Sequence, residues 1–286
     1  ERSVMHTPNV TADDVTGLPP GAIFLTATVT DTSDQASRGW VPLAASALLA
    51  ATLKFNGSLV LQLQGDAQAP VSLIVVECSA DMKLRAAVKL RTPSVTLNPD
   101  TSFMQLLNPI GQGRFIVVLD PLDKLPGQTA YTSLVPLVGK SVADCLDYYM
   151  AHSEQLATRI VLAAEAHQCA GLLVQRMPDI GGHAPAVAPE DLLELSETDS
   201  EGTWTRVRHY VRTLKTPELL NTDAPTLLHR LFWDEAPTAF ENKALRFACT
   251  CSRNKVGHML HMLGAEEISA ALAEQEKLHI NCEYCD

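Results

Sequence analysis

The sequence Phe247-Ala-Cys-Thr-Cys-Ser252 and the sequence Asn281-Cys-Glu-Tyr-Cys-Asp286 frame the last part of this 286-residue chain. Four of the seven cysteines lie there in two close pairs, a Cys-x-Cys and a Cys-x-x-Cys, formed by Cys249, Cys251, Cys282 and Cys285. Two short chelating pairs brought together provide the four sulfur ligands that zinc prefers. The spacing therefore predicts one Zn²⁺ per chain, bound by these four cysteines.

Histidines offer a competing set of metal ligands. His258 and His261 are spaced i,i+3, so they would share one face of a helix, and His279 is a further candidate. Four thiolates already complete the coordination of zinc, and a histidine on a surface helix is usually solvated. We therefore expect the cysteines to bind the metal.

Two cysteine patterns that need no metal fit this sequence less well. A disulfide scaffold needs an oxidising compartment, and the sequence begins Glu-Arg-Ser-Val-Met without a charged and then apolar leader. A thioredoxin-like Cys-x-x-Cys opens a helix, whereas one residue follows Cys285 in this sequence. We expect a protein of the reducing cytoplasm.

The cysteine-rich stretch also has the chemistry of a redox switch. About 40 residues bury too little apolar surface to fold alone, so the metal would supply most of the folding free energy, on the order of 10 kcal/mol. Thiolates are the form of cysteine that oxidants attack, and each cysteine has a close neighbour able to trap a sulfenic acid as a disulfide. A static structural zinc site remains the alternative at this point.

The composition narrows the classes of partner. The formal charge is −11, and residues 245–286 carry four basic and six acidic side chains. Nucleic-acid binding normally rests on clustered Lys and Arg, so no nucleic-acid partner is expected. No apolar run approaches the 18 or more residues of a membrane span, so no membrane partner is expected either.

Sequence patterns before the cysteines predict an α+β fold. Residues 24–29 favour a strand and residues 43–53 an Ala/Leu-rich helix, and alternating apolar residues predict an antiparallel meander over residues 59–90. Further strands are predicted at residues 114–119, 129–138, 158–164 and 170–175, the last two completing the sheet, with a helix from Ser141 whose apolar stripe includes Cys145. Cys78, Cys145 and Cys169 are interpreted as small packing residues.

The composition changes after residue 180. Residues 181–189 are rich in Gly, Ala and Pro, residues 190–201 carry six acidic side chains, and amphipathic helices follow around Trp204 and Leu227. These helices are expected either to pack permanently on the core or to expose their apolar faces when a neighbour unfolds. The predicted domains are an antiparallel-sheet α+β core (1–180), a helical linker (181–245) and a small zinc domain (246–286).

None of the enzyme motifs that the sequence resembles is complete. Gly139-Lys-Ser141 resembles the end of a P-loop, but Leu134 stands where its first glycine is required. A catalytic zinc keeps one coordination position open, which four cysteines do not leave. We expect a protein that is not an enzyme.

Several stretches together resemble the redox-regulated chaperones of the thirty-three-kilodalton chaperonin family. They are residues 44–57 (AASALLAATLKFNG), 62–66 (QLQGD), 143–155 (ADCLDYYMAHSEQ), 172–178 (LLVQRMP) and the two cysteine pairs at the spacing of the family. The resemblance runs from about residue 43 to the end. Family members normally continue past the position of Cys285, so the zinc domain is expected to be truncated here.

The resemblance implies a cytoplasmic, ATP-independent holdase that protects unfolding or oxidatively damaged proteins from aggregation. It implies that the reduced, zinc-bound form is inactive and that oxidation forms the disulfides Cys249–Cys251 and Cys282–Cys285 with release of the metal. It further implies unfolding of the linker, binding of unfolding client proteins and a homodimer when oxidised. A zinc-ribbon interaction module and a thiol oxidoreductase remain alternatives.

Overall fold

The structure, a computed structural model, describes most of the chain. The described residues are 22–30, 40–53, 56–92, 101–124, 127–165, 168–176, 199–233, 243–249, 251–274, 277, 280, 282 and 284. The chain divides into two compact units, Glu1–Phe247 and Ala248–Asp286. The predicted acidic segment 190–201 and the stretch 181–189 lie almost wholly outside the described residues.

Nine strands and eight helices lie in the described residues. The strands are β1 (Ala22–Thr30), β2 (Gly57–Gln64), β3 (Val71–Ser79), β4 (Lys83–Leu90), β5 (Arg114–Pro121), β6 (Tyr131–Pro136), β7 (Thr158–Ala164), β8 (Gln168–Arg176) and β9 (Arg246–Phe247). The helices are α1 (Trp40–Thr52), α2 (Phe103–Leu107), α3 (Val142–His152), α4 (Asp199–Thr213), α5 (Thr216–Asn221), α6 (Ala224–Phe232), α7 (Arg253–Leu263) and α8 (Ala265–Glu274). The predicted α+β class is confirmed.

A six-stranded sheet in the order β6-β5-β2-β3-β4-β9 forms one layer of the first unit. All its pairings are antiparallel except that of β9, which runs parallel to β4. Leu59, Leu61 and Leu63 of β2 are buried while the residues between them are half-buried, as the alternating sequence predicts. The predicted meander β2-β3-β4 is confirmed.

A separate three-stranded sheet contains β1, β8 and β7 in that order, all antiparallel. The prediction that β7 and β8 complete the first sheet is therefore wrong, since their partner is β1, near the start of the chain. Strand β8 is buried along residues 169–175, so it needs packing layers on both faces. Alternation of apolar residues cannot indicate which distant strand supplies a partner.

Helix α1 packs against both sheets and lies between them. Its residues 44–50 are all buried, which explains why the predicted helix lacks a polar face. At Gly171 of β8, an added Cβ would lie 2.7 Å from Cδ1 of Leu48 and 2.8 Å from Cδ2 of Leu162. The glycine therefore permits the close approach of α1 to β8.

Helix α3 begins as the sequence predicts. The Oγ of Ser141 accepts a hydrogen bond of 3.2 Å from the backbone amide of Asp144, which caps the helix. The predicted apolar stripe is buried and comprises Val142, Cys145, Leu146, Tyr149 and Met150. This face of α3 belongs to the main hydrophobic core.

Helices α4, α5 and α6 pack on the three-stranded sheet, on the face opposite to helix α1. They form a second hydrophobic cluster with the sheet, which contains Ala163, Ala170, Leu172, Val174, Trp204, Val207, Val211, Leu219, Leu220, Leu227, Leu228, Leu231 and Phe232. Along β8 the side chains alternate, because Cys169 and Leu173 belong to the main core whereas Ala170, Leu172 and Val174 belong to this second cluster. One strand thus separates two cores.

None of the helices that the structure describes is long and apolar enough to cross a membrane.

Candidate metal centre

Two short helices lie between the cysteine pairs in the unit Ala248–Asp286. Helix α7 starts two residues after Cys251, and the Oγ of Ser252 caps it by accepting a hydrogen bond of 3.2 Å from the backbone amide of Lys255. The helix ends at Gly264, whose φ of +87° is a conformation that favours glycine. This turn leads directly into α8.

Three of the four predicted ligands are brought together. The sulfur atoms of Cys249, Cys251 and Cys282 lie within 4.8 Å of one another. The Sγ atoms of Cys249 and Cys282 are 3.4 Å apart although 33 residues separate them in sequence. Cys285 lies outside the described residues.

These distances fit a zinc ion. Zinc–sulfur bonds of about 2.3 Å in a tetrahedron place neighbouring sulfur atoms about 3.8 Å apart. The observed sulfur–sulfur distances run from 3.4 Å up to at most 4.8 Å, a range that includes this value. They are much longer than the bond of about 2.05 Å in a disulfide. The chemistry of three sulfur donors also suits zinc better than a hard cation such as magnesium.

Among the described residues of the unit around the cysteines, little apolar packing holds the chain together. None of the residues of α7 is buried. Several large apolar side chains of the unit are exposed, by 80% at Met262, 54% at Leu263 and 44% at Leu272. A group that ties the cysteines together would therefore stabilise this unit more than its own side chains do.

The histidine alternative finds no geometric support in the described residues. His258 and His261 are exposed on α7, and the group of side chains that could hold a metal consists of the three cysteines. His279 lies outside the described residues. The arrangement favours the cysteines as ligands.

The remaining cysteines have a different environment. Cys78, Cys145 and Cys169 are fully buried in the main core. Burial raises the pKa of Cys78 to about 12 and that of Cys145 to about 11, and these thiols stay protonated and unreactive at neutral pH. The Sγ of Cys145 also donates a hydrogen bond of 3.0 Å to the carbonyl of Val138.

Sequence reasoning missed one feature that immediately precedes the first cysteine pair in sequence. Leu245, four residues before Cys249, is completely buried and belongs to the main core. The following residues 246 and 247 form the edge strand β9 beside β4. A short stretch in which Leu245 is the one buried side chain between Lys243 and Phe247 gave no period from which this pairing could be predicted.

Comparisons with known proteins agree on one family. A family model described as "Hsp33 protein" matches residues 41–286. The chain is 40% identical over 245 residues to the "33 kDa chaperonin" of Methylobacillus flagellatus, covering 85% of this chain and 74% of the relative. It is 41% identical over 246 residues to the "33 kDa chaperonin" of Chromobacterium violaceum, with the same coverage of both chains.

A solved structure has the same fold. The crystal structure of the 33 kDa chaperonin of Thermotoga maritima superposes with a TM-score of 0.69, covering 92% of this chain and 88% of that chain at 20% sequence identity.

Proposed function

Because this chain belongs to the Hsp33 family, we propose that it is a redox-regulated, ATP-independent holdase that keeps unfolding proteins from aggregating. The similar proteins are named 33 kDa chaperonins, so unfolding proteins are the expected partners. The observation that carries the redox part is the cluster of three sulfurs within 4.8 Å, beside a helix α7 that has no buried residue.

The proposed zinc ligands are Cys249, Cys251, Cys282 and Cys285. The first three supply converging sulfurs, and Cys285 follows Cys282 at the interval of a chelating pair. Bound zinc would hold the four sulfurs as thiolates and supply a folding free energy on the order of 10 kcal/mol. The reduced, metal-bound chain is the inactive state in this proposal.

Oxidation removes the ligands pairwise. A peroxide oxidises one thiolate to a sulfenic acid and is itself reduced, releasing hydroxide. The neighbouring thiolate then attacks that sulfur, which forms the disulfide and expels a second hydroxide. The proposed products are Cys249–Cys251 and Cys282–Cys285, neither of which retains a thiolate for metal binding.

The linker helices connect this change to client binding. Helices α5 and α6 have six and nine residues, which is too short for stability in water without docking. Their buried residues include Leu219, Leu228 and Phe232, which pack in the second cluster beside β8. Unfolding of the zinc unit is proposed to release these helices, exposing apolar surface on them and on β8 without any nucleotide.

Further parts of the proposal concern the setting of the protein. We propose that the oxidised form is a homodimer and that the protein works in the cytoplasm, with neither nucleic acid nor membrane as a partner. We also propose that it has no enzymatic activity, since its similar proteins carry a chaperonin name. Exposed apolar surface on the oxidised form would favour pairing of two copies.

The test is an aggregation assay. Malate dehydrogenase is heated until it unfolds, and light scattering is recorded with reduced zinc-loaded protein and with peroxide-treated protein. Oxidised protein should suppress scattering without ATP, and reduced protein should not. A matched control carries Cys282→Ser and Cys285→Ser. Its effect on light scattering should be the same before and after peroxide treatment.

The alternatives give different outcomes. Retention of zinc with no protection after oxidation would favour an interaction module. Catalytic turnover of a disulfide substrate would favour a thiol oxidoreductase. Equal protection by the reduced and oxidised forms would contradict redox control while leaving the chaperone function in place.

A further inference from the structure

Leu245 is inserted into the main core by a segment that is otherwise exposed. Its side chain has 0% exposure and belongs to the cluster that also contains Met82 and Leu84. The described neighbours on both sides, residues 243, 244, 246 and 247, are all exposed. One apolar side chain therefore anchors this segment.

The backbone of the same segment pairs with the edge of the six-stranded sheet. The amide of Arg246 donates a hydrogen bond of 3.1 Å to the carbonyl of Met82. The register places Arg246 beside Lys83 and Phe247 beside Leu84, so β9 contacts two of the eight residues of β4. A strand of two residues has few hydrogen bonds to lose when it leaves.

Charge contributes little to this pairing. Nη2 of Arg246 is 3.5 Å from Oδ2 of Asp81, but the two side chains are 58% and 53% exposed. An exposed ion pair at this distance is screened by water and salt and stabilises weakly. The position of Leu245 therefore requires an apolar side chain on an extended backbone, and the basic residue that follows contributes little.

We propose that the sheet edge formed by Met82 and the first two residues of β4, Lys83 and Leu84, is a client-binding seat that residues 245–247 occupy in the resting protein. An unfolding protein would replace β9 with an extended segment of its own, adding a strand to the sheet and placing one apolar side chain where Leu245 lies. This inference rests on the proposed function, because it names where the proposed holdase binds its client.

The chemistry of the seat suits many different clients. Every residue except proline carries a backbone amide that could donate to the carbonyl of Met82, so strand addition makes no demand on sequence. The pocket of Leu245 adds a requirement for an apolar side chain, which extended segments of unfolding proteins expose. Native proteins keep such segments paired or buried and would not compete with β9.

The first test opens the seat by mutation. Leu245→Asp cannot keep its carboxylate in the core, so β9 should leave β4. The probe is fluorescent, reduced and alkylated α-lactalbumin, which is permanently unfolded, and its dissociation constant is measured with reduced protein. If the seat is open in 10% or less of resting molecules, the variant with an open seat should bind the probe about tenfold or more tightly than the unmodified protein.

Two further variants serve as controls for this measurement. Ala244→Asp puts the same charge at an exposed neighbouring position outside β9 and should bind the probe like the unmodified protein. Leu245→Ala removes the anchor without introducing charge and should give a smaller gain. Circular dichroism shows whether each variant is folded.

A second test needs no change at Leu245. A photoreactive benzoylphenylalanine replaces either Lys83, which pairs with Arg246 of β9, or Thr132 of β6, which lies at the opposite edge of the sheet. After oxidation, the probe should cross-link at position 83 and not at position 132. The segment captured from α-lactalbumin should be extended and apolar.

The outcomes separate this inference from the proposed function. Suppression of aggregation by the oxidised protein, with no cross-link at position 83 and no gain in the folded Leu245→Ala variant, would overturn the seat and leave the holdase standing. Failure of the oxidised protein to suppress aggregation would overturn the proposed function itself. Equal cross-linking at positions 83 and 132 would also overturn the seat.

Discussion

The carboxylate of Asp147 in α3 accepts a hydrogen bond of 2.9 Å from the backbone amide of Ile160 in β7. Its other oxygen accepts a hydrogen bond of 2.6 Å from Nη1 of Arg159. The side chain of Asp147 is only 18% exposed. A single acidic residue thus ties the helix to the three-stranded sheet on which the linker helices pack.

The first prediction concerns the pH dependence of stability. Burial raises the pKa of Asp147 from 3.8 to about 7, and Arg159 and the amide of Ile160 offset this only in part. Between these values the folded state holds more protons than the unfolded state, so this residue makes the free energy of unfolding fall as pH rises from about 4 to about 7. Asp147→Asn keeps an oxygen acceptor and removes this titration, and its stability should decline less across that range.

Urea denaturation at several pH values between 4.5 and 7.5 measures this difference. Asp123→Asn is the matched control, because Asp123 is exposed and hydrogen-bonded to the side chain of Asn56. Parallel stability curves for Asp147→Asn and the unmodified protein would contradict the prediction.

The second prediction concerns zinc content. Cys282→Ser removes a sulfur that lies 3.4 Å from that of Cys249 and should lower zinc affinity by more than about 100-fold, since the loss of even an outer partner of a ligand costs 10- to 100-fold. Cys169→Ala changes a buried cysteine of the main core and should retain one zinc per chain. Both are measured by metal analysis of reduced protein. Normal zinc in Cys282→Ser, with loss in a His258→Ala and His261→Ala double variant, would move the site to the histidines.

The third prediction concerns the disulfides formed by peroxide. Each cysteine has its nearest neighbour in sequence within its own pair, so peptide mapping should find Cys249–Cys251 and Cys282–Cys285. Cys78 should stay reduced, because burial raises its pKa to about 12. The short distance between Cys249 and Cys282 makes their cross-link the most informative contrary result.

The fourth prediction concerns the docking of the linker helices. Phe232 is 1% exposed and its ring meets that of Tyr210 edge to face, so Phe232→Ala should cost about 3–5 kcal/mol. The reduced variant should therefore capture unfolding proteins without peroxide. Hydrogen exchange should show lost protection in residues 199–233 and retained protection in residues 57–90 and 114–121.

A neighbouring residue provides the control for this experiment. Trp233 is 70% exposed, so Trp233→Ala removes a large apolar side chain without opening a cavity and should behave like the unmodified protein. Client capture by both variants, or unchanged hydrogen exchange in Phe232→Ala, would contradict the idea that docking of the linker helices prevents client binding in the reduced protein.

Local chemistry accounts for what could be predicted from the sequence. The cap at Ser141 depends on residues three apart, and the burial of Leu59, Leu61 and Leu63 follows from the period of a strand. The approach of Cys249 to Cys282 could be predicted because zinc accepts few ligand sets, which makes two cysteine pairs informative at any separation.

Features that leave no local pattern in the sequence were not predicted. Strand β1 pairs with β8 across more than a hundred residues, and nothing in either strand's apolar pattern identifies the other. Helices α2 and α5 have five and six residues, too few to show a helical period. Leu245 is buried through one side chain, and a single apolar residue has no period at all.

The alternating sides of β8 place neighbouring residues under different evolutionary constraints. Substitutions at Cys169 or Leu173 face a core that both proposed states share, so selection there acts on stability alone. Ala170, Leu172 and Val174 pack against the linker helices, and in the proposed active state they would meet solvent or a client. A more polar residue would loosen the resting state, whereas a larger apolar one would delay release. We therefore expect narrower variation at the even positions than at the odd ones.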